Sequence, residues 1–452
     1  MPDEVALTPS QQKALHSLQD WWNRADPEID GEDVPQEFLL DGAAGTGKTF
    51  LLRRLLDVVG VGAVLFTAPT NKAVKVMRST LLASFGRAEC CTIFSALGLQ
   101  MKPDGEIKVL QAREKNHKAT SWPRIGLLVI DEASMVGTNL LPHLDRIMSM
   151  YPHLRILYVG DSAQLPPVNE SISPVFHRIP ENCRCSLTEV VRQENQILSL
   201  ASAIRHQLDT SWFPQVTLQD DNDGEEGVWK LLGQAEADSA ILSAVESGRF
   251  LQPNGAKCIA WRNVIVNKLN FFVRSHLFPE TTQLFCEGDR IILTEPANII
   301  NEEGSLGHSD HYTPPWPTDS EGSVTHAELL SHPYYPEFDC WHLLVRGDDG
   351  ENMSLWTLSD SPKMQAKWKA RKNELAAIAK QTPREWGKFW QFLEAFHSVR
   401  HGYAITAHRA QGSTYQEAFV FAGDIFCNRD RMEAFRCMYV ACTRPKYKLY
   451  LW

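Results

Sequence analysis

The chain has 452 residues, of which 43% are hydrophobic and 22% charged, a composition typical of a globular protein with roughly two to four domains. It contains no apolar run long enough for a membrane helix, and the acidic start Met1-Pro2-Asp3-Glu4 lacks a signal-peptide core, so we expect a cytoplasmic protein without membrane contact. The ten cysteines lack the spacing of a metal site and are predicted to be buried thiols in a reducing compartment.

The negative charge is concentrated near the N-terminus. The net charge is −10, but residues 1–41 contain ten acidic and two basic side chains, which gives a local charge of −8. The other 411 residues therefore carry only −2, and this composition is compatible with a basic groove for nucleic acid.

Helix and strand patterns alternate through the first part of the chain. A helix is predicted over residues 7–22, with Thr8 or Ser10 as its N-cap, followed by an acidic loop over residues 26–36. Apolar strands are predicted at 38–40, 63–67, 127–130 and 156–159, with a helix over 71–85. Uninterrupted apolar strands that alternate with helices indicate a parallel sheet covered on both faces.

The segment after the first strand has the pattern of a phosphate-binding loop. Its residues are Gly42, Ala43, Ala44, Gly45, Thr46, Gly47, Lys48 and Thr49, which fit G-x-x-x-x-G-K-[ST] between a strand and a helix. The glycines let successive backbone N–H groups turn towards a phosphate chain. Lys48 can reach the β- and γ-phosphates and the Thr49 hydroxyl can bind Mg²⁺, so this context predicts a nucleotide site and not an ordinary glycine-rich turn.

A polar, basic segment between residues 98 and 123 interrupts the alternation. Pro103-Asp104-Gly105 lies between two short stretches with strand character and is a turn signal. A β-hairpin that projects from the sheet domain and a plain surface loop both fit, and the pattern alone favours neither.

A second α/β pattern begins near Asn195 and contains a large insertion. Its strands are predicted at 257–261, 403–405, 418–421 and 448–451, and its helix at 264–277. In the insertion, residues 278–398, strand patterns at 288–293, 341–345 and 354–358 fit a small β-barrel. Residues 298–337 are predicted as a long loop, and residues 364–396 are helical and rich in aromatic side chains.

Two acidic residues suited to ATP hydrolysis follow the strand at 127–130. Asp131 would bind Mg²⁺ through water, and Glu132 would position and deprotonate the attacking water. Gln164, after the next strand, could sense the γ-phosphate. Arg192 and Arg444 could present a guanidinium to the same phosphate, although either arginine taken alone predicts only a surface ion pair.

Seven motifs occur in order along the chain. They are GAAGTGKT at 42–49, APTNKA at 68–73, DEASM at 131–135, GDSAQLPPV at 160–168, LTEVVR at 187–192, AHRAQGST at 407–414 and YVACTR at 439–444. In this combination the sequence resembles superfamily 1 DNA helicases of subclass B, the RecD/Dda type, from residue 7 to residue 452.

The resemblance implies an α/β fold with two RecA-like P-loop domains, each with a parallel sheet, and ATP in the cleft between them. Residues 1–195 would form the first domain, and residues 196–277 with 399–452 the second. A hairpin at about 97–122 would be the strand-separating pin. Residues 278–398 would be an inserted SH3-like β-barrel with a helical arm, or tower.

The resemblance also assigns roles to individual residues. Gln11 resembles the residue that reads adenine, and Arg192 and Arg444 resemble arginines that reach ATP. The DNA-contacting positions would be Pro69, Thr70, Asn71, Lys72, Thr92 and Phe94. The motif that links nucleotide to DNA would contain His408, Gln411, Gly412, Ser413 and Thr414, with Gly412 on the nucleotide side. Phe94 stands where related proteins often carry histidine, and the Pro-Asp-Gly tip of the hairpin has no aromatic residue for base stacking.

The implied function is ATP-dependent 5′→3′ translocation on single-stranded DNA with separation of a duplex fork, in replication, recombination or repair. The implied setting is a bacterial or phage-infected cell, with a monomeric enzyme and with single-strand binding protein or replisome components as further partners. Another P-loop ATPase or a kinase for a small substrate is the alternative, but a kinase needs no second ATP-facing motif set such as 407–414 and 439–444. A non-catalytic nucleic-acid-binding module would not explain Lys48, Asp131 and Glu132 together.

Trp386 and Trp390 are four residues apart and share one face of a predicted helix. That face is either part of the core of the inserted domain or a brace for the hairpin. The resemblance supports the brace, because related helicases have a tower that touches the pin.

Overall fold

The computed structural model describes residues 7–23, 35–59, 64–85, 89–104, 107–112, 120–189, 196–208, 219–221, 226–297 and 316–452. Most of the predicted acidic loop at 26–36, Arg192, and the first part of the predicted loop at 298–337 lie outside these residues.

The strands and helices are numbered here in chain order. The strands are β1 (Glu37–Gly42), β2 (Val64–Ala68), β3 (Glu89–Thr92), β4 (Leu99–Asp104), β5 (Ile107–Ala112), β6 (Leu127–Ile130), β7 (Arg155–Gly160), β8 (Arg184–Leu187), β9 (Gln219–Asp221), β10 (Glu226–Lys230), β11 (Ala256–Ala260), β12 (Arg290–Leu293), β13 (Glu321–Ser331), β14 (Asp339–Gly347), β15 (Asn352–Leu358), β16 (Val399–His401), β17 (Ala404–Thr406), β18 (Tyr415–Val420) and β19 (Pro445–Leu451). The helices are α1 (Pro9–Asn23), α2 (Lys48–Val59), α3 (Asn71–Phe85), α4 (Ile93–Ala96), α5 (Leu141–Met150), α6 (Val175–Arg178), α7 (Gln196–His206), α8 (Gln234–Glu246), α9 (Asn263–Leu277), α10 (Pro362–Gln381), α11 (Trp386–Glu394), α12 (Ala407–Ala410), α13 (Ala422–Ile425) and α14 (Arg431–Cys442).

The chain forms two compact units. Unit 1 consists of Met1–Leu99, Ala112–Leu231 and Ala410–Trp452, and unit 2 of Gln100–Gln111 and Leu232–Arg409. The division into two RecA-like domains and an insertion at 278–398 stays a prediction.

Unit 1 contains a six-stranded sheet in the order β3-β2-β6-β7-β1-β8, in which every neighbouring pair is parallel. The strands β2, β6 and β7 are buried at every position, as expected for a sheet covered on both faces. Because the strands are parallel, the segments after β1, β2, β6 and β7 leave the sheet at the same edge. This edge collects four of the motifs that the sequence analysis singled out.

The C-terminal part of unit 1 carries a second set of paired strands. β19 lies between β18 and β10, parallel to both, and β9 pairs antiparallel with β10. The rings of Trp229, Tyr450 and Phe419 stack in series across these strands, with centroid separations of 5.1 and 4.6 Å. The helix α14 is buried along most of its length, which fixes the motif at 439–444 in the interior of the unit.

Unit 2 begins with an α/β segment in which β11 and β17 are parallel. The buried Asn270 of α9 holds β17 from the side: its amide donates to the Ala404 carbonyl at 3.0 Å and accepts from the Ala404 N–H at 2.9 Å. A buried amide of this kind satisfies backbone groups that a neighbouring strand would otherwise pair.

An antiparallel sheet in the order β15-β14-β13-β12-β16 forms the β part of unit 2. Its buried core includes Phe285, Trp316, Trp341, Val345 and Leu355. The predicted loop at 298–337 is wrong over Glu321–Ser331, because these residues form β13, the strand between β12 and β14. The polar side chains of β13 suggested a loop, and its second half is mostly exposed. Backbone pairing with a strand on each side stabilises β13 despite its weak strand pattern. Closure of this sheet into an SH3-like barrel stays a prediction.

The predicted helical arm consists of two helices. α10 ends at Gln381, before Pro383, and α11 starts at Trp386. Proline disfavours a continuous helix here, because it lacks an N–H group and restricts the residue before it. Both helices pack on a second core that contains Phe338, Cys340 and Phe392, with Trp368 and Phe396 at its border.

The basic segment near residue 100 contains two paired strands. β4 and β5 form a two-stranded sheet, and their residues Gln100–Gln111 group with unit 2. Pro103 and Asp104 still belong to β4, so the connection lies later than the predicted turn. Strand pairing favours the hairpin over the plain loop, while its function as a pin stays a prediction.

The ten cysteines all lie in described parts of the chain, and none of them forms a disulfide. Six are buried, which agrees with the predicted thiols. No helix in the described ranges is long and apolar enough to cross a membrane.

Candidate active site

The phosphate-binding loop connects β1 to α2 at the edge where the parallel strands end. Gly45 and Gly47 have φ angles of 81° and 84°, in the left-handed region that favours glycine. A Cβ atom on Gly42 would lie 2.8 Å from the Thr46 hydroxyl oxygen and 3.1 Å from the Leu187 Cβ atom. The Thr46 hydroxyl donates to the Ala43 carbonyl at 2.9 Å and closes the loop. The three glycines of the pattern thus have two different causes: a close approach at Gly42 and a left-handed backbone at Gly45 and Gly47.

Lys48 lies at the first position of α2. Its ammonium group donates to the carbonyl oxygens of Gly42 and Ala43, at 2.6 and 3.0 Å. Two neutral carbonyls orient the ammonium group without neutralising it, so its charge remains available to an anion at the helix N-terminus. The loop therefore fits a phosphate chain such as that of ATP.

Asp131 and Glu132 follow β6 at the same edge. The Asp131 N–H donates to the Thr67 carbonyl at 2.8 Å, and one Asp131 carboxylate oxygen accepts the Glu132 N–H at 2.9 Å. Glu132 has a φ angle of 53°, a left-handed conformation that is uncommon for a side chain of this size. Backbone conformations of this kind concentrate at functional sites.

The electrostatic environment raises the pKa of both carboxyl groups. Burial raises the pKa of Asp131, and Lys48 opposes that effect. Burial, followed by the charge of Asp131, raises the pKa of Glu132 to about 7, while Arg444 and Lys48 act in the opposite direction. A carboxylate with a pKa near neutral pH is suited to accept a proton from water.

One cavity joins these groups. Its lining includes Thr49, Asp131, Glu132 and Gly412, together with apolar side chains of α2 and α3. The Thr49 hydroxyl and the Asp131 carboxylate are oxygen donors, the ligand type that Mg²⁺ prefers. The structure therefore brings together the residues predicted for Mg²⁺, for water activation and for the nucleotide side of the 407–414 motif.

Gln11 forms a capping box with Thr8 at the start of α1 and also contacts the phosphate-binding loop. The Thr8 hydroxyl accepts the Gln11 N–H at 3.3 Å, and the Gln11 side chain accepts the Thr8 N–H at 3.1 Å. The side-chain amide nitrogen of Gln11 donates to the Thr46 carbonyl at 3.0 Å. Gln11 thus connects α1 to the loop, and its reading of adenine stays a prediction.

Gln164 and Gln411 form a buried amide pair. The Gln411 amide donates to the Gln164 side-chain carbonyl and to the Ser134 hydroxyl, both at 3.2 Å. These bonds connect the segments after β6 and β7 to the motif at 407–414. The contact of Gln164 with the γ-phosphate is still untested.

Arg444 is buried beside the acid pair. Its guanidinium donates to the carbonyls of Val440 and Ser413, at 3.0 and 3.2 Å, and to the Thr443 hydroxyl at 2.7 Å. Burial lowers its pKa, and the charge of Glu132 counteracts this effect. These contacts place a fixed positive charge near Glu132. Arg192, its predicted counterpart, lies outside the described residues.

Sequence reasoning missed a network around Asp161. The buried Asp161 carboxylate accepts hydrogen bonds from the Tyr439 hydroxyl at 2.5 Å and from Arg205 at 3.2 Å. Arg205 also lies 3.6 Å from Asp41, the residue before the loop. The Tyr439 hydroxyl in turn accepts the Ala44 N–H at 3.3 Å. Asp161 and Tyr439 stand inside two recognised motifs, but nothing in the sequence pairs them.

Several predicted DNA-contacting residues lie after β2 and β3, where two of them cap helices. The Thr70 hydroxyl accepts the Ala73 N–H at the start of α3, and the Thr92 hydroxyl accepts the Ser95 N–H at the start of α4. The Lys72 ammonium group donates to the Tyr415 hydroxyl at 3.3 Å. Pro69, Asn71 and Phe94 lie in the same two segments.

The remaining predicted contacts differ in exposure. Thr414 is exposed and Ser413 is buried in unit 1, and His408 is exposed in unit 2. Trp386 and Trp390 are half-buried, and both rings pack edge-on against Phe389, at 5.1 and 5.3 Å. The contacts of these residues with DNA and with the hairpin stay predictions.

The chain matches two family models and several known proteins. A model described as an AAA domain matches residues 35–221, and one described as a UvrD-like helicase C-terminal domain matches residues 401–452. The ATP-dependent DNA helicase dda of Enterobacteria phage T4 is 27% identical over 91% of this chain and 93% of that protein. The human ATP-dependent DNA helicase PIF1 is 29% identical over 38% of this chain and 27% of its own length.

A solved structure shows the same fold. The Pif1 helicase from Bacteroides, crystallised with ADP-AlF3 and ssDNA, aligns with a TM-score of 0.52 over 99% of this chain and 92% of its own, at 18% identity. Together with the loop, the acid pair and the parallel sheets, these matches define an ATP-hydrolysing enzyme with an α/β fold. More particularly, the chain is similar to the Pif1/Dda-like helicases of superfamily 1B, which agrees with the resemblance drawn from the seven motifs.

Proposed function

We propose that this helicase moves 5′→3′ along single-stranded DNA and separates the strands of a duplex at a fork, using ATP with Mg²⁺. The main support is the shared wall of the cavity, where Asp131 and Glu132 lie beside Gly412 of the 407–414 motif. The neighbouring Gln411 is hydrogen-bonded to Gln164 and Ser134. The hydrolysis site is therefore joined to the motif that the resemblance links to DNA.

The chemistry of the site follows from its charges. ATP supplies the phosphoanhydride bond, and Thr49 and Asp131 would hold Mg²⁺. Lys48 and Arg444 provide positive charge where negative charge develops on the phosphates. Glu132 orients a water molecule and accepts its proton, a role that its elevated pKa favours.

The proposed DNA path uses the residues after β2 and β3 and the exposed part of the 407–414 motif. These residues are Pro69, Thr70, Asn71, Lys72, Thr92, Phe94, His408, Ser413 and Thr414. One solved relative is a Pif1 helicase in complex with ssDNA, and another shows the structural basis of DNA unwinding at forked dsDNA by Pif1 helicases, which supports the same substrates here. The buried Ser413 would act through its carbonyl contact with Arg444.

The proposed setting is the cytoplasm of a bacterial or phage-infected cell, in replication, recombination or repair. The likeness to a phage T4 helicase over nearly its full length supports this setting. We further propose a monomeric enzyme that works with single-strand binding protein or replisome components.

The direct test compares 5′-tailed and 3′-tailed duplexes, alongside ATPase assays with and without single-stranded DNA. We expect DNA-stimulated ATPase activity and unwinding only of the 5′-tailed duplex, with Lys48→Ala as the inactive control. Unwinding of only the 3′-tailed duplex would refute the proposed direction. ATPase activity that single-stranded DNA does not stimulate would refute the translocation mechanism.

A further inference from the structure

The helix α10 has a charge opposite to that of the whole chain. The chain carries −10, whereas α10 contains six basic side chains and one acidic side chain, Glu374, and therefore carries +5. The basic residues are Lys363, Lys367, Lys369, Arg371, Lys372 and Lys380. Such a concentration on one element creates a local positive potential that the net charge conceals.

The helix has an inner side and an outer side. On the inner side, Trp368 and Leu375 pack against the core formed with Phe338, and Ala376 and Ala379 are buried. The outer side exposes Ala366, Ala370 and Ala377. Small side chains at these positions leave the outer side open to close approach by a large partner.

The basic side chains lie on both flanks of this alanine ridge. Lys363, Lys367 and Arg371 are spaced i, i+4, i+8 on one flank, and Lys369 lies on the other, while the half-buried Lys372 lies nearer the inner side. Each four-residue step advances about 6 Å along the helix axis. Along the axis of B-DNA, every second phosphate of one strand is about 7 Å from the last. The steps along this flank of the helix are therefore close to the spacing of alternate phosphates.

Local contacts orient three of these basic side chains without neutralising their charge. The Lys367 ammonium donates to the Glu337 carbonyl at 2.7 Å, and the Lys372 ammonium lies 5.7 Å from the centre of the Trp368 ring. Arg371 pairs with Glu374 at 2.7 Å, but both partners are about half exposed, and such pairs are weak in water. Lys363 and Lys369 are exposed and project beyond these contacts.

We propose that the outer side of α10 binds the phosphate backbone of duplex DNA ahead of the fork. This inference rests on the proposed helicase function. The exposed outer and flanking positions carry lysine, arginine, alanine, asparagine, glutamate and one isoleucine, Ile378, but no aromatic ring, whereas sites for single-stranded DNA typically stack bases on aromatic side chains. Unit 2 also contains Gln100–Gln111, the proposed strand-separating hairpin, so duplex contact and strand separation belong to one compact unit.

The test measures binding of the full chain to forks that share one 5′ tail and differ in duplex arm length, from none to about two turns. The variant is Lys363→Gln/Lys369→Gln, one lysine from each flank. The matched control is Lys230→Gln/Lys268→Gln, which removes the same charge from two exposed residues on other elements. Affinity is measured by fluorescence anisotropy across a salt series.

For the parent and the control, we expect affinity to rise with arm length. For the α10 variant, this gain should be lost, and the salt slope for the longest fork should be shallower by about 2, or about 1 per lysine. Binding to the tail alone should remain unchanged. A charge-reversed variant, Lys363→Glu/Lys369→Glu, should enlarge the effect on forks only.

Equal weakening for the tail alone would place single-stranded DNA on α10 and overturn the proposal. Unchanged fork binding in both variants would also overturn the proposal and leave α10 a solvated helix. If these variants also lost binding to a polyglutamate peptide, α10 would instead be a site for an acidic protein. Unwinding of 5′-tailed duplexes by the parent tests the proposed function separately, so the two failures are distinguishable.

Discussion

At the residue scale, the acid pair beside the phosphate-binding loop combines opposing electrostatic effects. Burial and the neighbouring Asp131 charge raise the pKa of Glu132 to about 7, while Arg444 and Lys48 favour its ionised form. The pKa of Glu132 therefore lies near neutral pH, where its carboxyl group can both accept and release a proton. In the proposed mechanism the same two cations would also stabilise the negative charge that develops on the phosphates.

Two substitutions separate binding from hydrolysis. Lys48→Ala should abolish turnover because it removes the ammonium group that would bind the phosphates of ATP. Glu132→Gln should bind ATP normally but hydrolyse it at least about 10²-fold more slowly, because an amide of the same size cannot accept the proton. Calorimetric ATP binding and steady-state ATPase assays measure the two effects. Glu181→Gln, at an exposed position away from the site, is the control, and near-normal turnover of Glu132→Gln would disprove the assigned role.

At the element scale, the question is whether the helix α11 braces the hairpin β4–β5 during strand separation. An isolated two-stranded hairpin is marginally stable in water and could not hold a duplex fork alone. Its residues Gln100–Gln111 group with unit 2, the unit that contains α11, and this supports a brace. Trp386 and Trp390 also pack on Phe389, so a purely structural role in the arm remains the competing hypothesis.

Trp386→Ala/Trp390→Ala should keep DNA-stimulated ATPase activity and lose unwinding of a 5′-tailed duplex. The reason is that translocation needs only the motor, whereas strand separation needs a rigid wedge. Trp386→Phe/Trp390→Phe retains aromatic packing and is the control, and circular dichroism verifies folding. If the folded alanine variant unwinds at the parent rate, the two tryptophans do not brace the hairpin.

At the scale of the whole molecule, charge is distributed unevenly. The acidic N-terminal 41 residues account for −8 of the net −10, and α10 carries +5. A protein can therefore bind a polyanion while its overall charge is negative, because DNA responds to the local potential within about 8 Å at physiological salt.

Binding to single-stranded DNA should be tighter than binding to blunt duplex and should weaken with salt. The log–log slope should be about −0.7 for each phosphate neutralised, because each contact releases counterions from the strand. Titrations at several salt concentrations give this slope, and an uncharged peptide-backbone analogue of the same base sequence is the control ligand. Affinity that does not change with salt would contradict the proposed DNA path.

The sequence by itself determined the phosphate-binding loop, the acid pair, most strands of the parallel sheet and the resemblance to superfamily 1B helicases. These features depend on short windows: apolar runs of one strand length, glycines in a tight turn, and polar residues placed directly after a strand. The predicted helix at 71–85 coincides with α3, and the predicted strand at 127–130 coincides with β6. Local spacing and local backbone geometry are sufficient for such features.

Only the tertiary structure decided which motifs touch. The Ala44 N–H and the Tyr439 hydroxyl are 395 positions apart, and Gln411 and Gln164 are 247 positions apart, so no local pattern could pair them. The same applies to β13, whose polar sequence indicated a loop but whose backbone pairs with strands on both sides. Pairing and burial depend on partners that folding supplies from distant parts of the chain, and a single sequence does not name those partners.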